Sequence, residues 1–309
     1  MSTFKILDGA MGSELIRRGI DLPEHIWSAA ANLTHPELVL EIHREYVDAG
    51  ADFITTNTFR TTQRAYLKTC TSTGSVSSKE TGTLARKSLN KAVEIARKAA
   101  GTNALVLGSI APLEDCYSSE LFPGKNTAIT EFRQLGEWLS VAGVDILLLE
   151  TMNSLAETEA GLFALQEFEL PLWVSFVLKD DTHLLSGDKL VDALILIQNY
   201  SVEMALLNCN SLQRTENAMI HLANNWGGKW GIYPNLGIGE PSPDGKISKY
   251  EAMDKFTILM EKAIDMGASV IGACCGSFPV HISELSKIKI KLNLTSIPHP
   301  RKRLLTPID

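Results

Sequence analysis

The sequence predicts a single (β/α)8 (TIM) barrel, on three observations. Eight apolar runs of strand length alternate with eight segments of helical spacing along the 309 residues. The strand runs are continuously apolar, as in a parallel sheet covered by helices on both faces. Eight such units close a barrel, and no Gly-x-Gly-x-x-Gly turn of an open dinucleotide-binding sheet follows the first strand.

The elements follow in order. Phe4–Asp8 is a short strand that enters the turn DGAMGS and a helix capped by Ser13 and stopped by Gly19. From Pro36 to Gly50, Leu38, Val39, Ile42, Tyr46 and Val47 keep helical spacing, and Asp52–Asn57 is a strand with a polar tip. The Ser/Thr-rich stretch Thr69–Lys79 reads as a mobile surface loop. Glu80–Ala100 is a long helix and Ala104–Ile110 the third strand, with an irregular segment to about Lys125. Thr127–Ala142 is helical, Val144–Glu150 a strand ending in a carboxylate, Ser154–Phe168 a helix and Pro171–Leu178 a strand. Gly187–Tyr200 is a helix, Glu203–Asn208 a strand ending at Cys209, Gln213–Asn225 a helix, and Trp230–Asn235 a strand that breaks at Pro234. Helix Ser248–Met266, strand Ser269–Ala273 and helix Val280–Leu292 complete the series. No composition shift marks a second domain, so residues 1–309 are expected as one domain with an irregular tail from about Thr295.

Composition excludes several function classes. A net charge of -7 and the lack of a basic stripe with interleaved aromatics argue against nucleic acid. No apolar run reaches the roughly 18 residues of a membrane span, and the N-terminus lacks a signal-peptide pattern. The expectation is a cytoplasmic protein, a monomer or weak homo-oligomer, acting on small molecules. Five cysteines in so long a chain do not make a disulfide framework.

A barrel places its active site at the C-terminal strand ends. There stand Asp8, Asn57, Glu150, Cys209, Tyr233, Asn235, Cys274 and Cys275. Cys209 ends the sixth strand and the Cys274–Cys275 pair the eighth, one strand apart, within reach of a single ion. Three thiolates with a fourth position open are the pattern of a catalytic zinc site. His183, His221 and His281 fall in loops or helices, and Cys70 and Cys116 in loops, so no fourth protein ligand closes the site. Zinc held by three thiolates is a poor Lewis acid for water, but a substrate thiol taken as fourth ligand loses its proton and stays nucleophilic. Glu150 and Asp8 could each cap a turn or face a substrate ammonium. The turn after Asp8 could offer N–H groups to a carboxylate, so an amino-acid substrate held at both ends is expected.

Seven segments, spread over nearly the whole chain, carry a resemblance. They are LDGAMGSEL at Leu7–Leu15, GADFITTNTF at Gly50–Phe59, GSIAP at Gly108–Pro112, LET at Leu149–Thr151, NC at Asn208–Cys209, YPN at Tyr233–Asn235 and GACCG at Gly272–Gly276. Together they resemble the homocysteine S-methyltransferase family. The resemblance implies a barrel that binds Zn2+ through Cys209, Cys274 and Cys275 and methylates the homocysteine thiol to give methionine. It implies that Glu150 takes the homocysteine amino group and that Asp8, Gly9 and Ala10 hold the amino-acid end. Asn235 matches an asparagine near the metal. Asn210 and Ala273 depart from the family's usual residues and leave the three thiols in place.

The donor is open between three kinds. Cobalamin-dependent members carry large extra domains and betaine-dependent members a C-terminal extension, and this chain shows neither. It looks most like the short members that use S-methylmethionine or S-adenosylmethionine, sulfonium ions whose leaving group needs no general acid. Trp27, Phe59 and Tyr233 could offer π-faces to such a cation, although each could equally be ordinary packing. The alternatives are a betaine-type donor or another thiol acceptor on the same barrel, and a non-catalytic zinc-binding barrel.

Overall fold

The computed structural model describes residues 4–73, 77–239 and 245–295. Eight parallel strands form one sheet: β1 Lys5–Ile6, β2 Phe53–Thr55, β3 Leu105–Ile110, β4 Ile146–Met152, β5 Leu172–Phe176, β6 Val202–Asn208, β7 Lys229–Tyr233 and β8 Val270–Ile271. Their order is β1-β8-β7-β6-β5-β4-β3-β2. The seam between β1 and β2 closes through a parallel Leu7–Phe53 bridge, with Asp8 N–H donating to the Phe53 carbonyl at 3.0 Å. The predicted (β/α)8 barrel is therefore the observed fold.

Alternation along each strand sorts the side chains. Leu107, Leu148, Trp173, Met204 and Leu206 pack inside the barrel, where Phe53 and Trp173 meet edge to face at 5.0 Å. The intervening residues, such as Leu147, Leu149, Val174, Ala205 and Leu207, pack outward under the helices. Each fully buried Leu or Ile contributes about 1.5–3 kcal/mol of burial, and two-sided burial explains why the strands read as continuous apolar runs.

Half-buried aspartates clip the strand starts. Asp52 Oδ2 accepts the Ile6 N–H at 2.8 Å and pairs with Lys289 at 2.6 Å and, through Oδ1, Lys5 at 3.1 Å. Asp52 thus reinforces the seam where β1 is only two residues long. Asp145 does the same between β3 and β4, accepting from Val106 N–H while pairing with Arg97.

The helices are α1 Met11–Arg17, α2 Ala31–Thr34, α3 Pro36–Asp48, α4 Gln63–Thr73, α5 Ser78–Ala100, α6 Lys125–Ala142, α7 Leu155–Leu165, α8 Leu190–Gln198, α9 Leu212–Asn225, α10 Met253–Asp265 and α11 Pro279–Thr295. Several sequence expectations change, and the helix expected from Ser248 begins only at Met253. Ser13 does not cap α1, which starts at Met11; its hydroxyl instead accepts the Gly276 N–H at 2.9 Å, tying the loop after β1 to the loop after β8. Thr69–Thr73 is not loop but the end of α4, where Thr69 Oγ1 bonds back to the Ala65 carbonyl at 3.1 Å and spares the helix a competing turn. Cys70 is accordingly helical. Residues 74–76 and the expected tail from 296 lie outside the described residues. Gly19 does stop α1, at φ +83°. No helix among the described residues is long and apolar enough to cross a membrane.

Candidate active site

The tip of β7 is the spacer on which the cysteines are mounted. On one side Cys209 N–H donates to the Tyr233 carbonyl at 3.2 Å and Asn235 N–H to the Asn210 carbonyl at 2.8 Å. On the other, Cys274 N–H donates to the Pro234 carbonyl and Leu236 N–H to the Cys275 carbonyl, both at 2.8 Å. Cys209 itself sits at φ +53°, a left-handed conformation that turns the chain sharply at the end of β6. Gly276, at φ +76°, lies against the same spacer, and a Cβ there would stand 2.8 Å from the Gly237 nitrogen.

The result is a cluster of three sulfurs all within 4.8 Å of one another. Cys275 Sγ is 3.5 Å from Cys209 Sγ and 3.9 Å from Cys274 Sγ. Sulfurs around a tetrahedral zinc, with Zn–S of about 2.3 Å, stand about 3.8 Å apart, so these two spacings fit the ion. Cys209 and Cys274 are joined as a disulfide, with Cα atoms 5.5 Å apart. The sequence reading left all three as thiols; mounting both tips on β7 brings two of them within bridging reach. The bridge and a metal are alternative uses of the same sulfurs. Burial first, and then the Glu150 charge, push the Cys275 thiol up to about 11. A nearby cation is what would ionise it. Among the described residues no fourth Cys, His, Asp or Glu joins the cluster, and this donor set of three soft ligands fits Zn2+ with one position left over.

Beside the sulfurs the inward-facing positions turn polar. One step beyond the apolar Phe53, Leu107, Leu148, Trp173 and Leu206 come Thr55, Ser109, Glu150, Ser175 and Asn208. Ser109 Oγ donates to Glu150 Oε2 at 2.5 Å. The Tyr233 phenol donates to Glu150 Oε1 at 3.2 Å and lies 2.7 Å from Ser175 Oγ. Burial raises the Glu150 carboxyl above its ordinary value, while the Ser109 and Tyr233 hydrogen bonds hold it down. Asp8 accepts Thr55 N–H at 2.9 Å and Thr55 Oγ1 at 3.0 Å. Burial pushes it up to about 8 against those bonds, with the Glu150 charge adding.

The other predicted positions fall as follows. A Cβ on Gly9 would lie 2.6 Å from the Tyr46 ring and 2.7 Å from Ser277 Oγ, so only glycine fits. Ala10 N–H donates to Ser277 Oγ at 2.9 Å. Asn235 Oδ1 accepts the Gly237 N–H at 2.7 Å, closing the turn after the spacer. Asn210, which departs from the family's usual residue, spends its amide on the end of β5, donating to Phe176 O and accepting from Leu178 N–H. Asn57 spends its amide on Ser28 and Asn32 and docks the β2 tip onto α2. Of the proposed π-faces, Tyr233 belongs to the Glu150 network, Phe59 has the Arg60 guanidinium 5.5 Å from its ring centroid, and Trp27 packs across Gly12 and Gly245.

Sequence reasoning missed Ser109, Ser175, Thr151 and Asn208. For Ser109, Ser175 and Asn208 the two-residue period, counted on from Leu107, Trp173 and Leu206, was the available signal. It also set Cys116 aside. That thiol is buried in the loop after β3; burial pushes it up to about 12, with Arg60 opposing and the Asp115 and Cys275 charges adding.

Known proteins share this arrangement of chain. A family model described as homocysteine S-methyltransferase matches residues 5–288. The homocysteine S-methyltransferase of Escherichia coli (strain K12) is 30% identical over 303 residues, covering 91% of this chain and 93% of that protein. The homocysteine S-methyltransferase YbgG of Bacillus subtilis (strain 168) is 29% identical over 306 residues, covering 91% and 93%. Crystal structures of the E. coli homocysteine methyltransferase MmuM in oxidised and metallated forms each superpose with a TM-score of 0.78 at 28% identity, covering 93% of this chain and 96% of that one. With its fold, its sulfur cluster and its full-length relatives in agreement, the chain belongs to the homocysteine S-methyltransferase family.

Proposed function

We propose that the protein transfers a methyl group from a sulfonium donor, S-methylmethionine or S-adenosylmethionine, to the thiol of L-homocysteine, giving methionine, with Zn2+ held by Cys209, Cys274 and Cys275. The observation that carries this reading is the sulfur cluster standing beside the buried Glu150 carboxylate on one barrel mouth. Bound zinc supplies an ionised acceptor thiol at neutral pH.

The chain's own residues do the rest. Glu150, braced by Ser109 and Tyr233, takes the substrate ammonium, and Asp8 stands as a second carboxylate coupled to it. An arriving ammonium favours the ionised form of both, offsetting their burial. Gly9 and Ala10 receive the carboxylate end, where it exchanges with Ser277 Oγ at the Ala10 N–H. Asn235 keeps the spacer between the cysteines in shape. The acceptor sulfur's lone pair forms the new S–C bond in line with the breaking C–S bond, whose pair returns to the donor sulfur as a neutral thioether. The acceptor's thiol proton leaves to solvent when the thiol ionises, and the transfer itself moves no proton, so the site needs proximity and a nucleophile rather than a general acid. Alignment of the two substrates by the mouth is the protein's main contribution.

The test is an assay of reduced, zinc-loaded protein with homocysteine and, separately, S-methylmethionine, S-adenosylmethionine and betaine, read as methionine formed. Methionine from a sulfonium donor supports the reading. Methionine from betaine alone would move the protein to a betaine-type donor, and none from any donor would make the barrel non-catalytic in this reaction.

A further inference from the structure

Next to Glu150 the backbone does something the fold alone does not require. The β4–β5 register slips between Leu149 and Met152, a bulge at the end of the strand. Within it Thr151 takes φ +63°, a left-handed conformation that a β-branched residue adopts only under constraint. Two buried side chains hold it there. Ser175 Oγ accepts the Thr151 N–H at 3.0 Å, and Asn208 Nδ2 donates to Thr151 Oγ1 at 2.7 Å. The ladder resumes beyond the bulge, where Val177 N–H donates to the Met152 carbonyl at 3.1 Å.

Asn208 is an unusual choice for that task. It is fully buried, and its Oδ1 has no hydrogen-bond partner. A buried bare carbonyl oxygen costs stability, so packing does not explain the residue. It also immediately precedes Cys209, so one side chain links the end of the cysteine-bearing strand to the bulge that carries Glu150.

We propose that Asn208, acting through Thr151, is a positioning residue that fixes Glu150 where the acceptor's ammonium group binds. This rests on the function proposed above. Loss of the Asn208–Thr151 bond lets the bulge relax toward ordinary strand and turns Glu150 away from its Ser109 and Tyr233 braces. The effect falls on the acceptor and not on the donor.

Thr151→Val keeps shape and branching and removes the acceptor oxygen; Asn208→Ser removes the reach from the other side. Steady-state kinetics on the zinc-loaded proteins are expected to show the homocysteine KM raised about 10- to 100-fold in each, the range of a hydrogen bond to a charged group. The donor KM and the zinc content should stay within about twofold, and Thr151→Ser should return the homocysteine KM toward the parent value. An unchanged homocysteine KM in both variants, or a parallel rise in donor KM, would overturn the proposal while leaving the function standing. A parent protein that makes no methionine would instead remove the function, and the proposal with it.

Discussion

Ser109 Oγ donates to Glu150 Oε2 at 2.5 Å, and both side chains are buried at the mouth of the barrel. This bond stabilises the ionised carboxylate against the burial that raises its pKa. Ser109→Ala is therefore expected to raise that pKa further and to weaken homocysteine binding about tenfold, as befits a charge-assisted bond. The acid limb of the profile of kcat/KM for homocysteine against pH should move to higher pH. A profile that does not move would mean that Glu150 does not meet the ammonium.

Oxidation should switch the site off by a countable change. The chain has five cysteines, and the disulfide uses Cys209 and Cys274. Thiol titration of the denatured protein should fall from five groups to three on mild oxidation, with zinc released in step, and recover with a thiol reductant. Zinc retained at three thiols would mean that the metal sits elsewhere.

The seam of the barrel gives a stability test. Asp52 accepts the Ile6 N–H and pairs with Lys289 and Lys5, and these contacts hold its carboxyl below the usual range despite the burial that opposes them. Asp52→Ala should cost on the order of 2 kcal/mol in denaturant unfolding at neutral pH. A folded pKa below the unfolded one makes this stabilisation present above the ordinary aspartate pKa and lost as pH falls through the folded value. The difference between parent and variant should therefore shrink in acid; a constant difference would argue against the ion pairs.

His43 tests the core beneath α3. It is fully buried, neither ring nitrogen has a partner, and burial lowers its pKa from 6.5 to about 4. Between those values the unfolded chain takes up a proton that the folded chain refuses. Stability should thus fall as pH drops from about 6.5 toward 4, by about 3 kcal/mol for this group. In His43→Leu that component should disappear. Equal pH dependence in parent and variant would show the imidazole to be hydrated.

The barrel was legible because its strands are buried on both faces, so runs such as Leu147–Leu149 announce themselves. The cysteines were legible because each ends such a run. Ser175 and Asn208 were present in the two-residue period but look like ordinary polar strand ends until the inner face is known. The left-handed backbone of Thr151 and Cys209 leaves no mark in residue type, since neither is glycine. Helix α4 was hidden because threonines that favour loops locally can also bond back onto a helix, as Thr69 does. The spacer role of Tyr233–Leu236 depends on backbone hydrogen bonds to both neighbours, which no side-chain pattern encodes.

In the proposed function the three sulfurs hold a zinc that takes the homocysteine thiol as its fourth partner. Zinc-edge X-ray absorption on the reduced protein measures this directly by counting sulfur neighbours. One zinc per chain with three sulfurs is expected, rising to four when homocysteine is added, with no zinc retained in Cys274→Ser. A sulfur count that homocysteine leaves unchanged, or zinc retained in full by Cys274→Ser, would contradict it.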